Sequence, residues 1–259
     1  MNFRIAIPSC GRADFLLNKT LKYLENCNIN FANVDVFLSK ANEYDEYKKK
    51  LEKYPVNFII SHNDCINAQR NFIVQHYPAG QRLMGLDDDI QSLETKINSK
   101  KTQTVTDLIG LEQQAYELCN QYKFDLWGVS ASCNPFYMKE DISFNLKFVI
   151  GCFYGWINSH KDKAFILNNK LHTKEDYERT IKYYLEDGGV VRFNYLAPKT
   201  KIYLETGGIG AYRTEEHEEW STKYMLEKYP LFCRRNTARK HHFAQILLKD
   251  GRKKTKKRT

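Results

Sequence analysis

No C-x-x-C pair occurs among the seven cysteines, which stand scattered at positions 10, 27, 65, 119, 133, 152 and 233. Such spacing suggests neither a disulfide framework nor a structural zinc site, and reduced thiols in a reducing compartment are the simplest expectation. Internal repeats and Pro/Gly/Ser-rich linkers are also missing. The 259 residues are therefore expected to form one large domain, or one domain with an appended subdomain. No apolar run approaches the roughly 20 residues that span a bilayer. Met1-Asn2-Phe3-Arg4 leads straight into a strand rather than a secretory leader, so the chain is expected to stay where it is made, in cytoplasm or nucleus and away from membranes.

Hydrophobic content of 42%, aromatic content of 14% and charged content of 27% fit a globular protein. The net charge of +9 is unevenly spread. Six basic residues fall within 252–259, and Arg234, Arg235, Arg239 and Lys240 add four, so the remainder of the chain carries −1. The expected partner of this C-terminal cluster is a polyanion, nucleic acid first, because Lys and Arg displace counterions from phosphates. For 252–259 the alternative is a disordered, solubilising tail.

Residues 3–8 alternate as a first strand, with Phe3, Ile5 and Ile7 on one face and Pro8 closing it. Ser9-Cys10-Gly11-Arg12 then turns into a helix over 13–26, and its N–H groups, hydroxyl and guanidinium suit a nucleotide or its phosphates. Cys10 is either reactive or a small buried hydrophobe. Residues 34–38 and 56–60 read as strands around a charged helix near 43–53 that Tyr54-Pro55 ends. After Ser61 a helix runs to about His76 and puts Asn67, Arg70 and Asn71 on one face, either as solvated surface or as contacts to phosphate or base. This alternation of strands and helices argues for a parallel sheet with right-handed crossovers.

Residues 96–104 are expected to be polar and mobile. A helix with Leu108, Leu111, Ala115 and Leu118 at helical spacing follows, with Thr106 as its N-cap. Segments 125–130 and 148–157 resume the sheet on either side of a loop or hairpin at 134–145. Another helix starts in His172-Thr173-Lys174-Glu175-Asp176-Tyr177 and ends at Gly188-Gly189, and 190–195 is a strand. Thr206-Gly207-Gly208-Ile209-Gly210 reads as a flexible loop able to close over a ligand. Residues 214–229 read as an acid-led helix stopped by Pro230.

The stretch around which these parts are organised is Leu83-Met84-Gly85-Leu86, which ends in Asp87, Asp88 and Asp89. In an open α/β sheet, ligands bind beyond the carboxyl ends of the strands. If the segment is extended, alternate side chains point the same way. Asp87 and Asp89 can then face one hard divalent cation while Asp88 points elsewhere. The alternative is a solvated acidic turn.

Taken together, the β/α alternation, the first turn, the helix bearing Asn67 and Arg70, and the D-D-D end resemble a GT-A glycosyltransferase over roughly residues 2–195. The resemblance implies an α/β fold with an open mixed, mostly parallel sheet flanked by helices. It also implies one domain over 1–251, divided into a nucleotide-sugar half (1–95) and an acceptor half (96–251), with 252–259 as a tail. A UDP-sugar would be met by Pro8, Ser9, Arg12, Ser61, Asn67, Arg70, Asp87 and Asp88, with Asp88 toward the ribose or donor sugar. Mn²⁺ or Mg²⁺ would sit on Asp87 and Asp89, with a histidine as third ligand. His217 is the candidate, with His241 and His242 also available and nothing in the spacing to select among them. Inverting members take their base from a helix-opening E-D segment, which here implies Asp176, with Glu175 as the alternative. Thr173-x-x-Asp176 equally fits a capping box, which gives Asp176 a purely structural explanation.

A closer resemblance rests on I-P-S-x-G-R-A, G-L-D-D-D-I, E-D-Y-E, T-G-G-I-G and the basic end. These are similar to the small glycosyltransferases associated with TET/JBP oxygenases in phages and kinetoplastids, which glycosylate hydroxymethylated pyrimidines in DNA. That implies a DNA acceptor held through Arg234, Arg235, Arg239 and Lys240, an oxygenase that supplies the hydroxymethyl base, and, for a viral protein, the host cytoplasm. The competing expectations are a glycan, lipid or protein acceptor, or a nucleic-acid-binding module on a degenerate fold of this type.

Overall fold

β1 (Phe3–Ser9) is apolar on both faces because it lies inside a sheet that is covered on both sides; Phe3, Ile5, Ala6 and Ile7 are at most 2% exposed. The structure, a computed structural model, describes residues 3–63, 65–163, 167–171, 173–200, 213–237, 243 and 245–249. Pro8 does not end β1. It pairs with Phe37 inside the parallel ladder, and the strand runs on to Ser9.

A single rod follows, built from α1 (Ala13–Phe15), a π-wound segment (Leu16–Leu21) and α2 (Lys22–Asn26). β2 (Val34–Leu38), α3 (Tyr44–Lys50), β3 (Asn57–Ile60), α4 (Ile66–His76) and β4 (Arg82–Leu86) complete the first half. The pairs β3·β2, β2·β1 and β1·β4 are all parallel, as the alternation of elements requires.

After β4 the topology changes. β5 (Ser92–Lys96) and β6 (Thr102–Thr104) form an antiparallel hairpin, so 96–104 is ordered where a mobile segment was expected. α5 (Leu108–Tyr122) is capped by Asp107, whose carboxylate accepts from Gly110 N at 2.7 Å, rather than by Thr106. β7 (Leu126–Val129), the short β8 (Ile142–Ser143) and β9 (Phe153–Ile157) follow; the last is shorter than its β-rich sequence suggested. Then come α6 (Glu175–Asp187), β10 (Val191–Phe193), β11 (Leu196–Lys199), α7 (Glu215–Lys228), β12 (Cys233–Arg235) and β13 (Ile246–Leu248).

Among the described residues the main sheet has eight strands in the order β3-β2-β1-β4-β9-β7-β10-β8, with β9 antiparallel to both of its neighbours. A three-stranded sheet, β11-β5-β6, and the ribbon β12-β13 accompany it. The fold class is thus the expected mixed α/β sheet flanked by helices. One apolar cluster, with Ile5, Leu16, Val36 and Met84, fills one side of the sheet, while Ile73, Tyr154, Trp156 and Tyr183 pack on the other. Fully buried Glu178 ties α6 to α7 by accepting from the Tyr224, Tyr229 and Lys228 side chains at 2.9, 3.0 and 3.1 Å.

Asp35, 3% exposed within β2, is held by four donors. The Nε and Nη2 of Arg4, Asn57 Nδ2 at 3.0 Å and the Tyr77 hydroxyl at 2.5 Å all reach it. The carboxylate therefore bolts three strands and the end of α4 together. Replacing Asp35 by Ala strands a partly buried guanidinium and costs about 3 kcal/mol. The thermal midpoint is expected to fall by roughly 6–12 °C, and an unchanged melting curve would show that the bolt carries nothing.

Candidate active site

The site begins where β4 leaves the sheet. Asp87 N donates to Cys152 O at 3.0 Å, the last tie to the β9 side, and the chain then turns at Asp88 and Asp89. Thr20, fully buried in the π-wound segment, closes this turn from both ends. Its hydroxyl donates to Asp87 O at 2.8 Å and accepts from Ile90 N at 3.0 Å. The triplet is therefore a braced turn rather than extended chain, and strict alternation does not apply. Asp88 and Asp89 share Arg12, at 3.1 and 2.9 Å, whereas Asp87 lies 3.1 Å from Arg70.

Exposure then separates the three carboxylates. The side chains of Asp87 and Asp89 are 33% and 15% exposed, against 5% for Asp88. Asp88 is committed inward, where it accepts from Ser9 Oγ at 2.7 Å. Ser9 in turn meets the Tyr47 hydroxyl at 2.7 Å, and that hydroxyl accepts from Arg12 N at 2.9 Å. Asp89 accepts from Thr200 Oγ1 at 3.1 Å. Burial pushes the Asp88 carboxyl up to about 7 against the pull of Arg12. Burial likewise pushes Asp87 up to about 6, opposed by Arg70 and assisted by Asp89.

Arg70, 5% exposed on α4, connects this turn to α6. Its Nη1 pairs with Glu175, and its Nη2 reaches Asp87 Oδ1 and, at 2.9 Å, Gly151 O. Burial opposes the Arg70 charge, but Glu175 and Asp87 outweigh it and the guanidinium is held firmly protonated. Gly151 N donates to Asp176 Oδ2 at 3.2 Å. A Cβ at Gly151 would stand 2.9 Å from Arg70 Nη1 and 3.1 Å from Glu175 Oε1, so a larger residue here would have to displace the Arg70 guanidinium.

The capping box does not form. The residue before α6 is Lys174, in the left-handed region at φ 70°, and no side chain caps the helix. Asp176 instead accepts from Gly151 N and from Tyr177 N at 2.9 Å, and it remains partly exposed. Burial and then the Glu175 charge raise its carboxyl to about 7. Of the E-D pair, Glu175 is buried and paired with Arg70, and Asp176 is the more exposed.

Other expected contacts fall elsewhere. Ser61 Oγ donates to Leu38 O at 3.1 Å, and Pro8 is an interior ladder residue. Asn67, 1% exposed, donates to the carbonyls of Asn168 and Leu171, while Asn71 grips Leu167 and Asn169. The polar face of α4 is thus divided between the site, through Arg70, and the clasping of segment 167–171. Cys10 is half-buried, and burial raises its thiol, which argues against a reactive thiolate.

His217 lies in the first turn of α7, its N–H capped by Thr214 at 3.1 Å, and it forms no group of three converging ligands with the triplet. Arg234 and Arg235 are exposed on β12, with Arg235 paired to Glu219. His241, His242, Arg239, Lys240, the 206–210 loop and 252–259 lie outside the described residues. Thr20, Tyr47, Gly151 and Thr200 had not been singled out from the sequence. None stands in a motif, and each matters only through a partner distant in the chain.

Among the described residues, Asp125, His160 and Asp187 form a group that could hold a metal ion, with ligand atoms within 4.8 Å of one another. It lies at the opposite rim of the sheet from the triplet. His160 follows the far end of β9, and Asp125 precedes β7 and bonds Ile157 N. Burial works against the His160 charge, but its bond to Asp187 at 2.7 Å outweighs that and raises its affinity for a proton.

No protein-family model matches the sequence, and no curated protein matches it. Solved structures do. Residues 1–349 of S. aureus TarS in complex with UDP-GlcNAc align with a TM-score of 0.61 at 13% identity, over 87% of this chain and 67% of that one. A longer TarS structure aligns at 0.57 and 13%, with 87% of this chain covering 40% of it. The mannosyltransferase PcManGT from Pyrobaculum calidifontis, in complex with GDP-Man and Mn²⁺, aligns at 0.56 and 10%, over 87% of this chain and 64% of that one. At these identities the likeness is one of fold, and it agrees with a GT-A type α/β domain.

The Asp176 carboxyl binds its proton more tightly folded, at about 7, than at its ordinary value of 3.8. Its contribution to stability is therefore complete below pH ~4 and is lost as pH rises through ~7. Asp176→Asn removes that titration. The difference in thermal midpoint, wild type minus variant, should fall between pH 5 and pH 8; a difference independent of pH would contradict the assignment.

Proposed function

We propose that the chain is a metal-dependent glycosyltransferase that moves a sugar from a UDP-sugar to a hydroxyl acceptor with inversion. The observation that carries this reading is the meeting of the Asp87–Asp89 turn and the Glu175–Asp176 helix start on one buried arginine, across 105 residues between Arg70 and Glu175. The shared fold with proteins whose structures hold UDP-GlcNAc and GDP-Man supports the donor class.

The residues fit a hard divalent cation. Asp87 and Asp89 are oxygen donors, the two more exposed of the triplet, in a cluster where carboxylates outnumber guanidinium groups. They would hold Mn²⁺ or Mg²⁺, which, when bound, would offset the negative charge of the departing nucleoside diphosphate. Asp88 serves as a brace, fixing Ser9 and Arg12 rather than touching the sugar. Arg12 lies beside the triplet, where its guanidinium can pair with a donor phosphate. Asp176 takes the proton from the attacking hydroxyl, and its raised proton affinity suits a general base near neutral pH. Glu175 fixes Arg70 and does not act as base.

For the acceptor we propose a hydroxymethylated pyrimidine in DNA, delivered by an oxygenase. Support comes from the resemblance of the five sequence motifs and from the basic run containing Arg234, Arg235, Arg239 and Lys240. Such an acceptor has to be flipped or reached through a widened groove.

A panel of UDP-sugars with hydroxymethylated DNA, read by mass shift, tests both levels. Transfer should stop on chelation and fall at least about 100-fold in Asp89→Ala and Asp176→Asn. The wild-type rate should rise with pH through about 7 as Asp176 ionises. Transfer to small saccharides alone would remove the DNA acceptor, and failure to transfer or hydrolyse any nucleotide sugar would remove the enzyme.

A further inference from the structure

Arg179 lies on α6 one turn beyond Asp176 and is 6% exposed. Among the described residues, none of its Nε, Nη1 and Nη2 atoms has a hydrogen-bond partner. Its guanidinium centre sits 3.6 Å from the centroid of the Tyr154 ring, a contact that satisfies the charge from one face and leaves the in-plane N–H donors unmet. A buried guanidinium without an acceptor is among the costliest arrangements in a protein interior.

Arg179 lines a small cavity of about 20 Å³ between α4, α6 and β9. Arg70, Asn71, Tyr154, Trp156 and Tyr183 also line it, and among the described residues no carboxylate does. Arg70 is already bonded to Glu175, Asp87 and Gly151 O, so the unmet demand belongs to Arg179. A water needs roughly 10–15 Å³, so the space admits one particle of about that size or slightly more. A monatomic anion matches that space more closely than sulfate or phosphate. The walls present the Arg179 donors, aromatic rings and the apolar Val74 and Leu167, and a halide accepts from such donors while needing no acceptor of its own.

We propose that this cavity is a binding site for a small monovalent anion of the chloride class, held by the Arg179 guanidinium. The anion completes a buried charge pair on the sheet face behind Asp176. Since Arg179 is one of the charges that favour ionised Asp176, an occupied site weakens that pull.

Thermal unfolding in sodium chloride and in sodium gluconate at equal ionic strength tests binding without recourse to enzymatic activity. The wild-type midpoint should rise with the logarithm of chloride concentration, by about 5–10 °C for a hundredfold excess over the dissociation constant. Arg179→Met should lose this dependence, and a variant that keeps it would overturn the proposal. Should that variant fail to fold, wild-type crystals grown in bromide decide: an anomalous peak within hydrogen-bond reach of the Arg179 guanidinium supports the site. A map without that peak, or identical wild-type midpoints in chloride and gluconate, overturns it.

Discussion

A single buried cation holds the candidate site together. Arg70 contributes its charge at the point where the end of β4, the chain before β9 and the start of α6 meet, bonded to Asp87, Gly151 O and Glu175. Taking a guanidinium out of water is unfavourable unless its donors are all matched, and a carboxylate buried beside it is unfavourable without it. Each group is thus the condition for the others. Lysine cannot replace this fork, because one ammonium presents a point charge where two coplanar donors are required.

Around Arg70 the electrostatics are deliberately unbalanced. Asp87, Asp88, Asp89, Glu175 and Asp176 are gathered against Arg12 and Arg70, and burial drives the Asp87, Asp88 and Asp176 carboxyls upward. Thr20, on the π-wound segment Leu16–Leu21, bonds both ends of the acidic turn and keeps it from relaxing. Rigidity of the backbone and unmet negative charge of the side chains coexist in one short turn, the combination that a cation-binding edge needs.

Much of this was legible in the chain. The β/α alternation up to Leu86 predicted the parallel half because each apolar run is bounded by turn chemistry, and Asp87–Asp89 announced the rim because three carboxylates cannot end a buried strand anywhere else. Arg70 was legible through its i, i+3 relation to Asn67, but the partners of Asn67 were not: its amide is spent on carbonyls of a segment a hundred residues away. The Thr173–Asp176 spacing misled, since Lys174 adopts a left-handed conformation that removes the cap and frees Asp176 to meet Gly151. Gly151 itself was invisible, because its importance lies in the side chain it lacks. The antiparallel course of β9 was equally hidden, as a strand's sequence carries no arrow.

That arrow decides which rim Gly151 occupies. With β9 reversed relative to β4, the residues entering β9 stand beside the residues leaving β4, and Leu86 pairs with Phe153. Run in the other sense, the same strand would deliver Gly151 and Cys152 to the rim where Asp125 and His160 lie. Asp176 would then lose the Gly151 amide and keep only that of Tyr177. One inversion of chain polarity within the sheet therefore sets the two ends of the molecule apart, one crowded with acids and guanidiniums, the other closed by a histidine clasp.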